Sequence, residues 1–355
     1  MSSLPVEAPP APPAAPAAVP SGRRRGAWVL VLLVLLGVLA VLSVAFGARP
    51  VSPAEIWAGL TGPADGFGPA SVAQRIPRTA LALLAGAALA VSGAVMQGVT
   101  RNPLADPGIL GVNTGAALAV VVGIAHFGLR SPGGFVWVAI GGGAAAAAVV
   151  YAIASLGPNG FNAAAATPLK LALSGAAVTA ALTSFISAVV LGRNDIAEGV
   201  RSWQIGGVGG ADFGTMGVVL PFLAAGLAVG LLSAKSLNSL ALGDELAAGL
   251  GERVGLVRGL ASLGAIVLAG AVTALTGPIG FVGLVVPHVV RLLVGSDHRW
   301  LLPLSALGGA ALLTAADILG RVASRPVEID VGIVTALVGA PFFIYIVRRH
   351  KVREL

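Results

Sequence analysis

Four groups of residues in this 355-residue chain have types and spacing that could do chemistry or recognition. The first is LGDELAAGLGERVGLVR, residues 242–258, where Asp244, Glu245, Glu252 and Arg253 alternate with Leu246 and Leu250. Ala and Leu favour helix there, while Gly249, Gly251 and Gly255 divide it into short turns that let another surface come close. Composition leaves two readings open, a solvated loop or a docking helix. The second group is RIPR, Arg75 to Arg78, in which Pro77 reads as the start of a helix. Arginines before an apolar run are commonly interfacial anchors, and guanidinium groups also suit carboxylates presented by a partner. The third group is a pair of Pro- and Gly-rich strings, RNPLADPGILGVNTGA (101–116) and GPIGFVGLVVPH (277–288), that interrupt apolar runs. Broken helices occur at membrane depth only where the backbone is buried in protein or lines a cavity. Gln97, Asn102, Pro103, Asn113, Pro278 and Pro287 are therefore candidates for a path, with packing kinks as the alternative. The fourth group is His288, Arg291 and Asp317, the ionisable candidates inside apolar segments.

The chemistry that these groups lack is equally informative. No GxxxxGK[ST] loop exists, since the lysines follow Leu169, Ala234 and His350 and none follows Gly. The chain therefore has no means of its own to cradle ATP. His288 and His298 lie ten apart without an HExxH, GxSxG is absent, and the GGAD at 209–212 falls outside the apolar runs. With no Cys, thiol chemistry and thiolate metal sites are excluded. No catalytic residue and no metal site is assigned, and an enzyme is not supported. Ion-coupled carriers place acids or paired charges at the bilayer midplane, whereas His288, Arg291 and Asp317 each fall near a predicted helix end. The driving force for any transport is expected outside the chain, and a stand-alone ion-coupled secondary transporter is the alternative.

The elements that must position these residues follow from composition. Hydrophobic residues make up 56% and charged residues 10%, and the mean hydropathy is +0.93; a soluble domain carries about 25% charge. The class expected is all-α, a polytopic membrane bundle of about ten transmembrane helices. Abundant Gly (50 residues) and few aromatics favour close-packed helices over a β-barrel. Hydropathy places spans near 27–46, 77–97, 111–130, 134–154, 169–191, 216–234, 256–275, 279–295, 301–320 and 330–348. Residues 1–26 are expected to be a disordered Pro/Ala-rich cytoplasmic tail ending in the basic flank Arg23–Arg25, and 27–355 the membrane domain. With both termini inside, fourteen Lys/Arg fall on the inner side and eight on the outer, where eight acids cancel them. The whole net charge of +7 then lies inside, in keeping with the excess of basic residues on cytoplasmic loops. The inner set includes Arg101, Lys235, Arg253, Arg258, Arg291 and Arg299, and Arg75, Arg78 and Arg321 fall outside against the bias. These basic residues are scattered singly between apolar runs and form no nucleic-acid stripe; lipid is the expected surrounding. LAGAALAVSG (84–93) returns as LAGAVTALTG (268–277), and the same offset carries Pro103 onto Pro287 and Gly111 onto Gly295. Five spans apart, the copies would cross in opposite directions, an inverted repeat of the kind transporters use.

Several of these strings resemble the FecCD family, the permease subunits of iron-siderophore and cobalamin ABC importers. The matching segments are 75–116, SWQIGGVGGADF (202–213), LALGDELAAGLG (240–251), 277–303, DILGR (317–321) and VGIVTALVGAPFFIYIVRR (331–349). The resemblance implies a ten-helix permease domain that pairs with a second permease subunit, either a copy or a paralogue. It also implies two cytoplasmic ABC ATPase subunits carrying ATP and Mg, and an extracytoplasmic substrate-binding protein. No cofactor is expected on this chain. Within a coupling segment at 240–255, Asp244, Glu245, Ala248, Leu250, Gly251, Glu252 and Arg253 would meet the ATPase, and Arg75, Arg78 and Arg321 would receive acids of the binding protein. The implied cargo is a metal chelate, first a ferric siderophore, with cobalamin and haem as alternatives. The implied location is the bacterial plasma (inner) membrane.

Overall fold

The computed structural model describes residues 22–62, 65–157, 160–161 and 167–349; the expected tail up to residue 21 lies outside them. Among the described residues, seven helices are long and apolar enough to cross a membrane. They are α1 (Gly22–Ala45), α3 (Phe67–Thr100), α5 (Pro132–Ala154), α6 (Pro168–Leu191), α8 (Phe213–Leu232), α11 (Val254–Thr276) and α13 (His298–Ala323). Three shorter apolar helices, α4 (Val112–Phe127), α12 (Val282–Val294) and α14 (Val331–Arg349), complete a set that coincides with the ten expected spans. Between them lie α2 (Pro53–Thr61), α7 (Asn194–Ile205), α9 (Ala234–Leu240) and α10 (Asp244–Gly249). The fold is all-α apart from one antiparallel pairing of two-residue strands, Leu156–Gly157 with Gly160–Phe161.

Burial ranks the helices. The most apolar stretch of α3 is 78% buried and those of α11 and α13 are 61%, against 11% for α1. These three form the core, and α1 turns Leu30, Leu33, Val34, Val38 and Val41 outward, a face suited to lipid. Small residues allow the core helices to approach. A Cβ on Gly86 would collide with the backbone of Gly309 in α13, and one on Gly93 with Gly283 in α12. The other small-residue pairs also pack inside the chain, with Gly115 against Gly142 of α5 and Gly226 against Leu268 and Gly264 of α11.

Two local expectations are corrected. Pro77 does not start a helix, because α3 begins ten residues earlier at Phe67. Proline inside a helix removes one backbone hydrogen bond, and the side chain of Thr79 donates to the Arg75 carbonyl at 2.8 Å in that turn. The basic flank Arg23–Arg25 belongs to α1, not to a tail. Arg25 is held by the Val294 carbonyl (3.3 Å), by Asp297 (3.8 Å) and over the Trp300 ring.

The repeated strings lie in α3 and α11, which run in opposite directions. Arg101 after α3 and Arg258 early in α11 share Asp244 at one end of the bundle. At the other end Arg78 of α3 lies beside Gly209, and Gly207 donates to the Thr276 carbonyl of α11. The trailing matches are not equivalent: Pro103 is in a loop and Pro287 is buried within α12, while Gly111 precedes α4 and Gly295 ends α12.

Candidate functional sites at the two ends of the bundle

At the first end the short helix α10 stands between two glycines in the left-handed region, Gly243 (φ 108°) and Gly251 (φ 89°). Only such residues make those turns without strain. Ala247 is buried, while Glu245, Leu246, Ala248, Leu250, Gly251 and Arg253 are exposed and Glu252 is half-buried. Leu246 of α10 and the flanking Leu242 and Leu250 are apolar and turned outward, each with more than half its surface free. Asp244 differs from the other residues of this segment because its carboxylate is occupied. Arg101 donates to Oδ1 at 2.6 Å, and Arg258 donates to Oδ1 and Oδ2 at 2.8 and 3.0 Å. Neither arginine was among the residues singled out from the sequence, although both fall on the same side as Asp244 in the charge sorting.

At the opposite end the three expected arginines come together, two of them buried. Arg75 and Arg321 are 5% and 1% exposed, so neither offers a free guanidinium at the surface. Both close the C-terminal end of α1, where helix carbonyls lack intrahelical donors. Arg75 donates to the carbonyls of Val44, Ala45 and Arg49, and Arg321 to those of Ser43 and Phe46 and to the Ser43 hydroxyl. Asp317 lies between two of the arginines: Oδ1 accepts from Arg78 at 2.8 and 3.0 Å, and Oδ2 pairs with Arg321 at 2.8 Å. Arg78 alone reaches the rim, where its other branch meets Glu328 at 2.5 Å. A partner can therefore meet Arg78, Glu328 and Arg325, whereas Arg75 and Arg321 support them from beneath. Burial of two of the three cations was not legible in the sequence, because nothing local marks a carbonyl cluster arriving from α1.

Of the path candidates, Gln97 is buried and ties two helices. Its Nε2 donates to the Gly283 carbonyl of α12 at 3.2 Å, and its Oε1 accepts from Arg291 at 2.8 Å. Asn102 caps the turn after α3 by accepting from Leu104 N at 3.0 Å. Pro103 is exposed, and Asn113 is half-buried in the first turn of α4. Pro278 belongs to the break between α11 and α12, whereas Pro287 lies inside α12 and breaks nothing. The linker between α3 and α4 brings Asp106 against Gly283. Its Oδ1 accepts from Gly108 N at 2.8 Å, and burial pushes its carboxyl up to about 6. No group of three or more potential metal ligands occurs among the described residues.

Comparison with known proteins places the chain among transport permeases. The iron(3+)-hydroxamate import permease FhuB of Bacillus subtilis is 44% identical over 278 residues, 78% of this chain and 71% of that protein. The ferric enterobactin permease FepD of Escherichia coli is 42% identical over 320 residues, 90% of this chain and 94% of that protein. The cobalamin import permease BtuC of Halobacterium salinarum is 42% identical over 287 residues, 79% and 74% of the two chains. A solved structure of a metal-chelate type ABC transporter in an inward-facing conformation superposes with a TM-score of 0.76 at 28% identity, covering 92% of this chain and all of the other. The description of the FecCD transport family matches residues 33–349, from within α1 to the end of α14, and the chain belongs to that family.

Proposed function

We propose that this chain is the membrane-spanning permease subunit of an ABC importer for a metal chelate, first a ferric siderophore. It pairs with a second permease subunit, and hydrolysis of ATP takes place on two partner ATPase subunits. The observation that carries the reading is the set of exposed leucines on and beside α10, Leu246 with the flanking Leu242 and Leu250, held at the end of the bundle where Arg25, Arg101 and Arg258 gather. Three exposed leucines on a water-facing turn need a cover, and acids beside them give it a polar rim. This end is the cytoplasmic one in the proposed orientation, with both termini on the same side in a bacterial plasma membrane. The rim around Arg78, Arg325 and Glu328 then faces the extracytoplasmic binding protein. The Gly111/Gly115 and Gly226/Gly230 pairs are used up inside the chain, so the second permease subunit must use another face.

Reconstitution tests the reading. The chain alone in vesicles should move no ferric siderophore under an imposed ion gradient. Addition of its ATPase, binding protein and ATP should produce uptake. Gradient-driven uptake by the chain alone overturns the proposal in favour of a secondary carrier.

A further inference from the structure

We infer that Asp244 is a positioning residue that ties α10 to both helices of the internal repeat and does not itself contact a partner. Its carboxylate takes three hydrogen bonds from two guanidinium groups, Arg101 at 2.6 Å and Arg258 at 2.8 and 3.0 Å. Arg101 caps the end of α3 in the left-handed conformation (φ 51°), which aims its side chain back toward α10. Arg258 lies in the second turn of α11. Among the seven long spans these are, with α13, the most buried, and they are joined at mid-depth where Ser92 donates to the Ala265 carbonyl at 2.6 Å. One carboxylate thus fastens a six-residue helix to the two core elements that cross the bundle in opposite directions.

The rest of α10 has little else to fix it. It lacks a side-chain cap at Gly243, and Ala247 is its one buried side chain. A six-residue helix has no stability of its own, so its position depends on such tethers. The pairs are partly exposed, and exposed pairs add little to global stability. A bidentate Arg–carboxylate pair does, however, fix geometry. The consequence is directional: a displacement of the leucine face by a partner is delivered to the ends of α3 and α11 together. This inference rests on the coupling reading of α10 above.

The absence of native Cys allows spin labels to be placed cleanly at Ala248→Cys and Leu292→Cys, both exposed at this end. The full chain in lipid discs is compared as such, with Asp244→Asn, and with Arg101→Gln plus Arg258→Gln. Both changes should broaden the label-to-label distance distribution. A melted α10 start would affect the Asp244 variant alone. In the assembled complex the Arg101→Gln plus Arg258→Gln variant should keep the ATPase bound and hydrolysing, while transport per ATP falls at least about fivefold, the lower end of a site-to-site coupling. An unchanged distance distribution in both variants, or an unchanged transport-to-hydrolysis ratio, overturns the inference. Leu246→Asp with Leu250→Asp serves as the separate arm. If that pair leaves the ATPase attached, the coupling reading of α10 fails, while the label distances still decide the role of Asp244.

Discussion

Arg321 donates to Ser43 twice, to its main-chain oxygen at 2.9 Å and to its hydroxyl at 2.7 Å, and so fastens α13 to the end of α1 across 278 residues. Ser43 is fully buried and also bonds Thr79 of α3 at 2.6 Å, so three helices meet at one hydroxyl. α1 is otherwise the least buried span, and this junction fastens its C-terminal end to the core while Arg25 fastens its start. Arg321→Met removes one partner of Asp317 and leaves the Ser43 and Phe46 carbonyls without this donor. Breaking a buried pair from one side costs about 3–5 kcal/mol, and Arg78 remains on Asp317 to keep the loss at the lower end. Ser43→Ala should cost about 1 kcal/mol. Thermal unfolding in detergent should therefore rank the chains as wild type, Ser43→Ala, then Arg321→Met. An Arg321→Met chain as stable as wild type would refute the clamp.

The positions of all ten apolar helices were readable from hydropathy because each run is long and bounded by charge, Pro or Gly. The boundary of α3 was not, since Pro77 carries the signal of a helix start and the residues before it are polar enough to pass for a loop. Charge sorting placed Arg101, Asp244 and Arg258 together on one side and Arg75, Arg78, Asp317 and Arg321 on the other. Which of them pair depends on side-chain reach between elements up to 278 residues apart, and no local pattern encodes that. The repeat was legible only within α3 and α11, where packing requires Gly and Ala. Beyond those helices the offset matches Pro103 to Pro287 in unlike conformations.

Of Arg75, Arg78 and Arg321, Arg78 is the one that a partner could reach, and Glu328 covers one of its branches at 2.5 Å. Glu328→Gln removes the internal competitor for an incoming carboxylate. Association with the binding protein should strengthen by a few-fold at low salt and converge on wild type at high salt, since exposed pairs are worth about 0–1 kcal/mol and are screened. Arg78→Gln should weaken association in the same assay. Surface-captured binding protein titrated with the permease complex at two salt concentrations gives both values. Equal affinities for all three chains would remove Arg78 from the docking surface.

Gly251 tests the coupling end through backbone conformation alone. At φ 89° an L side chain is strained, at a cost of about 1–3 kcal/mol, yet a Cβ there meets no atom of the chain within 4 Å. Gly251→Val should therefore leave insertion and the span helices intact while shifting the turn from α10 into α11. Substrate-stimulated hydrolysis should fall and basal hydrolysis by the ATPase should persist. Glu245→Lys, on the exposed face, should weaken ATPase association without altering the fold. Full transport by both variants would reduce this segment to a solvated loop.

Asp106 provides a pH test of the linker between α3 and α4. Its carboxyl is raised to about 6 from 3.8, chiefly by burial, and the hydrogen bond from Gly108 opposes the shift. A folded-state pKa above the unfolded value means that ionisation is disfavoured in the fold. The penalty is absent below about 3.8, grows as pH rises toward 6, and is complete above it. Asp106→Asn keeps an oxygen to accept from Gly108 N and removes the charge. The variant should therefore melt higher than wild type at pH 8, and the difference should shrink steadily on acidification through pH 6. Melting curves of the two chains in the same detergent, taken across that range, measure the difference directly. A gap that is constant with pH would mean that the carboxylate is not penalised where it packs against Gly283, and that the substitution acts through shape alone.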